Sequence, residues 1–172
     1  NPERQSVKLR RNVSCGRPCW RNARTGYAAT SRHSMPKATA PMRDLSPESL
    51  LAAVNAWVAI ESPTQDAAAV NRVSVHAEGI LRAIGATIER IPGEGGIADI
   101  LIGRIPGEAN GPGILLLGHM DTVHPVGTLS GPLPMRVEGD RAYGPGIYDM
   151  KGGNSIAFSA LVHLHATGQR PK

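Results

Sequence analysis

Aromatic side chains are nearly missing from this 172-residue chain: two Trp, three Tyr and one Phe, 3% of the sequence. Its core must therefore rest on Ala, Val, Ile and Leu. No apolar stretch approaches the roughly 20 residues needed to span a bilayer, so no membrane partner is expected. No apolar segment of about 7–15 residues follows the basic amino-terminal residues, which argues against a secretory signal. A cytoplasmic location is the expectation. Two cysteines in this length do not indicate a disulfide-built fold. No Walker lysine motif and no dinucleotide glycine fingerprint occurs, and Gly144-x-Gly146 is too short to be either. No internal repeat is evident.

Charge is unevenly spread. The net +5 joins two opposed parts. Residues 1–43 hold ten Lys or Arg and a single acid, Glu3. Residues 44–172 hold nine bases and thirteen acids, so the globular part is mildly acidic. The first 43 residues have no periodic apolar pattern and mix Arg, Asn, Ser, Thr, Gly and Pro, which reads as a disordered basic tail. Scattered arginines can bind phosphate, and an Arg-rich, acid-poor leader can be a transit segment. A third reading places the tail upstream of the true start, with Met35 or Met42 as initiator. Cys15 and Cys19 could make half of a zinc site, but only His33 lies near them in the tail.

Beyond the tail the chain is organised as alternating helices and strands. Ser46-Pro47-Glu48 supplies an N-cap, a first-turn proline and a first-turn acid. Leu50, Leu51, Val54, Trp57 and Val58 follow at helical spacing, with a stop expected near Ile60, ahead of Ser62-Pro63. A second helix is predicted from about Ala67 to Ile84. Its apolar face is Val70, Val73, Ala77, Ile80, Leu81 and Ile84, and Gly85 ends it. Strands are predicted at about 86–91, 98–104 and 113–118, separated by Pro-Gly and Asn-Gly turns. A shorter extended stretch is expected at about 134–143. A third helix is expected over about 152–166, with Gly168 as its cap. The alternation argues an α/β fold with a mixed sheet. The short loop between 98–104 and 113–118 permits an antiparallel pair.

Two segments carry chemistry. Gly118-His119-Met120-Asp121-Thr122-Val123 follows the apolar run Ile114-Leu115-Leu116-Leu117, which reads as a buried strand. Open α/β sheets build their sites at the carboxyl ends of strands. Residues i and i+2 of a strand share a side, so Asp121 can meet the ring nitrogen of His119 that faces away from a metal. Tyr143-Gly144-Pro145-Gly146-Ile147-Tyr148-Asp149-Met150-Lys151-Gly152-Gly153 delivers a second carboxylate, Asp149, from a glycine-rich loop just before a helix. One imidazole and one loop carboxylate are parts of a zinc site. A solvated surface turn is the plainer reading of His-x-Asp alone. His124 reads as a solvated loop residue or a substrate contact. His163 and His165 lie about 200° apart around a helix and cannot chelate one metal together; they and His76 read as surface or packing residues. Lys151 could position the loop or simply begin the helix.

The longer wording closely resembles the di-zinc metallopeptidases related to glutamate carboxypeptidase. That superfamily includes acetylornithine deacetylase, succinyl-diaminopimelate desuccinylase, aminoacylase and tripeptidase. The resemblance runs from about Leu45 onward and is most specific between Gly118 and Gly153. It favours the reading that places the tail upstream of the true start. It implies a layered α/β/α catalytic domain in which His119 binds one zinc, Asp149 bridges two zincs, and Asp121, a catalytic residue, orients His119. Cobalt or manganese are possible substitutes for zinc. It also implies a cis peptide between Asp149 and Met150. The implied reaction is hydrolysis of an amide bond in a peptide or N-acyl amino acid. No nucleic-acid partner is implied. A homodimer is an expectation for the intact enzyme. Substrate-binding residues are left unassigned.

In this family a glutamate serves as general base and is followed directly by a metal-binding glutamate. No Glu-Glu pair occurs in this sequence. The expectation is therefore an amino-terminal piece of the catalytic domain, residues 44–172, with the lid or dimerisation domain absent. Such a piece is expected to be inactive alone and prone to aggregate through an unpaired strand. A non-catalytic remnant or binding module that kept the first half of the fold is the alternative.

Overall fold

The computed structural model describes residues 44–108 and 111–169. The basic tail, with Cys15, Cys19 and both candidate start methionines, lies outside the described residues. Helix α1 spans Pro47–Val58. Its N-cap Ser46 accepts a hydrogen bond from the Ser49 backbone N–H, and Pro47 opens the first turn. The helix stops two residues short of Ile60. Helix α2 spans Ala67–Ala83, capped by Asp66, whose carboxylate accepts from the Ala69 N–H. Val70, Val73, Ala77 and Leu81 are buried along it. Gly85, at φ +81°, turns the chain out of the helix in a backbone region open to glycine.

Strand β1, Thr87–Ile91, pairs antiparallel with β2, Ile100–Arg104, with Glu89 opposite Ile102. The Arg90 guanidinium ties this hairpin to α2 by reaching both Glu78 and Asp99. Asp99 in turn accepts from the Gly93 N–H, which shapes the connecting loop. A second hairpin joins β3, Arg136–Glu138, to β4, Arg141–Tyr143. The Arg136 guanidinium lies 4.2 Å from the centre of the Tyr143 ring. Helix α3 spans Gly152–Ala166.

The sheet differs from the sequence expectation. The antiparallel partner of residues 100–104 is β1, not 113–118. Residues 113–118 form no strand among the described residues. Ile114, Leu115 and Leu117 are 82%, 82% and 86% exposed. The apolar run predicts a buried strand, yet nothing among the described residues covers it or pairs with it. The described residues therefore hold two antiparallel hairpins and a single parallel bridge, Pro63 to Thr122, rather than one mixed sheet.

The core sits between the helices. Trp57, 1% exposed, is packed edge-on against His76 at 5.2 Å and Phe158 at 5.0 Å between ring centres. Val73 and Ala77 complete this cluster. Leu81, Ile84 and Val162 form a second cluster, against which Ile88 and Leu101 of the first hairpin pack. His76 is thus a packing residue, and burial lowers its pKa. No helix among the described residues is long and apolar enough to cross a membrane.

Candidate metal centre

The segment 118–122 and the loop 144–151 meet at one end of α3. Asn154, in the first turn of α3, donates from Nδ2 to the His119 carbonyl at 2.7 Å. The His119 N–H in turn points at the Met150 sulfur, 3.4 Å away. Gly118 allows this close approach: a Cβ there would lie 2.6 Å from Asn154 Oδ1, and that side chain would have to shift. Gly146 has φ +68°, and a Cβ on it would collide with the Thr122 side chain. The Asp149–Met150 peptide is cis.

These contacts bring three side chains together. His119 Nε2 lies 2.9 Å from Asp149 Oδ1. His119 Nδ1 lies 3.1 Å from the Asp121 carbonyl oxygen and 3.2 Å from Asp121 Oδ1. Both acceptors at Nδ1 favour a proton there, which leaves Nε2 facing Asp149. When the ring is protonated its Nε2–H donates to the Asp149 carboxylate, and this bond, helped by Asp121, raises the His119 pKa. The Thr64 hydroxyl, donating to Asp121 Oδ2 at 2.6 Å, holds the Asp121 carboxyl below the usual range. Asp149 projects furthest into solvent, with its side chain 79% exposed.

A brace behind the site was not legible in the sequence. It is the segment 60–64, between α1 and α2. The Ser62 hydroxyl donates to the Met120 carbonyl at 2.8 Å. The Thr122 N–H donates to the Ser62 carbonyl at 2.7 Å, and the Thr64 N–H to the Thr122 carbonyl at 3.0 Å. Glu61 accepts from the N–H groups of Gly127 and Leu129, both at 2.8 Å, and these bonds lower its pKa. Lys151, fully buried, donates its ammonium to the Ile60 carbonyl. Burial lowers the Lys151 pKa to about 8. The sequence pattern marked Ser62-Pro63 only as a helix stop. Long-range hydrogen bonds leave no local signal, so the sequence pattern does not mark Thr64, Asn154 or the Lys151–Ile60 anchor.

An open cleft lies over the site, lined by His119, Asp121, His124, Gly146, Tyr148 and Asp149. His124 therefore belongs to the cleft wall. His163 and His165 lie on α3 and do not line this cleft.

The donor set suits a zinc-type ion: a neutral imidazole nitrogen with its other nitrogen engaged, and a carboxylate oxygen. His119 Nε2 and Asp149 Oδ1, 2.9 Å apart, are the donors that would hold such an ion. Among the described residues only the His119 nitrogen and the Asp149 oxygen converge as donors. Among the described residues no group of three or more His, Cys, Asp or Glu side chains gathers as a metal site.

Residues 115–172 match the family model described as peptidase family M20/M25/M40. The chain is similar to carboxypeptidase G2 of Pseudomonas sp. (strain RS-16), 41% identical over 114 residues. That match covers 66% of this chain and 27% of the relative. It is similar to succinyl-diaminopimelate desuccinylase of Rhodopseudomonas palustris (strain BisB5), 41% identical over 106 residues, covering 55% of this chain and 26% of the relative. The corresponding desuccinylase of Bradyrhizobium sp. (strain ORS 278) is 39% identical over 102 residues, 55% of this chain and 26% of the relative. The chain thus spans about a quarter of the length of these curated relatives. The segment that matches the M20/M25/M40 peptidase family model is the one that carries His119, Asp121 and Asp149.

Proposed function

We propose that His119 and Asp149 are ligands of a zinc centre that hydrolyses an amide bond in a peptide or N-acyl amino acid, with Asp121 orienting His119. The observation that carries this reading is the meeting of His119 Nε2 and Asp149 Oδ1 at 2.9 Å, with Asp121 at the opposite ring nitrogen. The relatives support it, since their names are those of a carboxypeptidase and of desuccinylases. Metal ions held here would polarise a scissile carbonyl and acidify a water. By resemblance Asp149 would contact two ions, and cobalt or manganese could replace zinc. The chain's own part is positional. Asp121 keeps the His119 ring oriented, Asn154 and Met150 fix the His119 backbone, and the open cleft admits a substrate carbonyl beside Asp149. The layered α/β/α domain belongs to the same proposal.

The test is zinc titration of the purified chain by calorimetry, with cobalt absorption as a second readout. Saturable binding should weaken at least about tenfold in His119→Ala and in Asp149→Ala. Equal affinity in wild type and both variants would sink the assignment. Two donors fall short of the three protein ligands typical of one catalytic zinc. The chain alone should therefore not turn over N-acyl amino acids or dipeptides ending in glutamate. Turnover abolished by His119→Ala would show that the centre is complete without further ligands.

A further inference from the structure

We infer that Thr64 is a positioning residue, whose hydroxyl aims the Asp121 carboxylate at His119; this rests on the metal-centre reading above. The Thr64 hydroxyl has one proton and two acceptors in range. Asp121 Oδ2 lies at 2.6 Å and the Thr122 carbonyl at 3.2 Å. The nearer, charged acceptor makes the stronger bond. With Oδ2 so engaged, Oδ1 is the oxygen turned toward His119 Nδ1, at 3.2 Å.

Aiming is needed because the Asp121 carboxylate is otherwise free to turn. Its terminal torsion is a broad, two-fold rotor. Its side chain is 32% exposed, so water competes for both oxygens. Thr64 itself cannot drift. Its N–H is bonded to the Thr122 carbonyl, and the Thr122 N–H to the Ser62 carbonyl, across the parallel bridge of Pro63 with Thr122. The threonine hydroxyl is therefore fixed to the backbone that follows His119.

The Asp121 carbonyl also accepts at Nδ1, so the proton stays on Nδ1 whether or not Thr64 is present. What Thr64 controls is the negative charge at that proton. A carboxylate there makes the imidazole a better electron donor through Nε2, and losing such a partner typically weakens metal binding about 10–100-fold.

The experiment compares wild type, Thr64→Val, Thr64→Ser and Thr64→Ala in the same 172-residue chain. Zinc affinity is read by calorimetry, and the His119 Nδ1–H proton by NMR on metal-free, nitrogen-labelled protein. Thr64→Val and Thr64→Ala should bind zinc about tenfold more weakly and broaden the Nδ1–H signal through exchange with water. Thr64→Ser should restore both. In an Asp121→Ala background Thr64→Val should change neither readout further. Wild-type behaviour in Thr64→Val, failure of Thr64→Ser to rescue, or an additive loss in the double variant would overturn the inference. A wild-type chain that binds no zinc would defeat the metal reading instead, and the NMR comparison would still decide the role of Thr64.

Discussion

The buried ammonium of Lys151 donates to the carbonyl of Ile60, ninety-one residues earlier in the chain. This contact ties the start of α3 to the segment that braces Asp121. It also holds a charge out of water, beside the Glu61 carboxylate that partly compensates it.

That burial gives a pH signature. The Lys151 pKa is lowered to about 8 in the folded chain, against roughly 10.4 when unfolded. Between these values the unfolded chain binds a proton that the folded chain does not, so stability contributed by this residue rises with pH. Urea unfolding of wild type and Lys151→Met should show the difference moving in favour of wild type by on the order of 1–3 kcal/mol between pH 7.5 and 10.5. A difference that stays flat with pH would show that the amine is not buried in solution.

His119 titrates in the other direction. Its folded pKa is raised, first by Asp149. The stability it contributes is fully present below its ordinary value near 6.5 and is lost as pH rises through the raised value. A proton on Nε2 also competes with a cation, so zinc affinity should rise as pH climbs through the same range. NMR titration of the metal-free chain should place the midpoint lower in Asp149→Asn than in wild type. An unchanged midpoint would mean that the two side chains do not meet.

Trp57 is the largest apolar anchor in a chain poor in aromatics. It joins α1 to α2 through His76 and to α3 through Phe158. Trp57→Ala should cost about 3–5 kcal/mol in denaturant unfolding. A loss below about 1 kcal/mol would contradict the packing described.

Leu117 offers the contrast. It is a large apolar side chain left at the surface. Leu117→Lys should change stability by no more than about 0.5 kcal/mol. It should also reduce self-association, because it breaks an exposed apolar run. Light scattering at matched concentrations checks the second effect. Unchanged association would mean that 114–117 is not the sticky segment.

A side chain at Gly146 should be strained. Its φ of +68° is the left-handed region, and a Cβ would meet Thr122. Gly146→Ala should cost about 1–3 kcal/mol and weaken zinc binding by displacing the Asp149 loop. Calorimetry on a folded Gly146→Ala chain reads the second effect directly.

Much of the local structure was legible. The Ser46 end of α1 is set by a side chain within three residues of the bond it caps. Gly85 ends α2 and Gly168, at φ +70°, follows α3 for the same local reason: the backbone needs a residue without a Cβ. The apolar face of α2 repeats at helical spacing, and its central residues are buried where that spacing puts them. Strand pairing was not legible. Residues 87–91 and 113–118 are both plausible neighbours of 100–104, and pattern alone does not choose between them. Nor does an apolar run state whether anything covers it, as Ile114–Leu117 shows.

The sequence by itself determined the helices, the turns, and the chemical identity of His119, Asp121 and Asp149. Those depend on interactions within a few residues or on side-chain type. The tertiary structure alone decided that His119 faces Asp149 across thirty residues, that Thr64 holds Asp121 across fifty-seven, and that Lys151 is buried against Ile60. Each is a hydrogen bond between distant segments. Its geometry exists only after helices α1, α2 and α3 have packed around Trp57 and brought the segment 60–64 beneath the site.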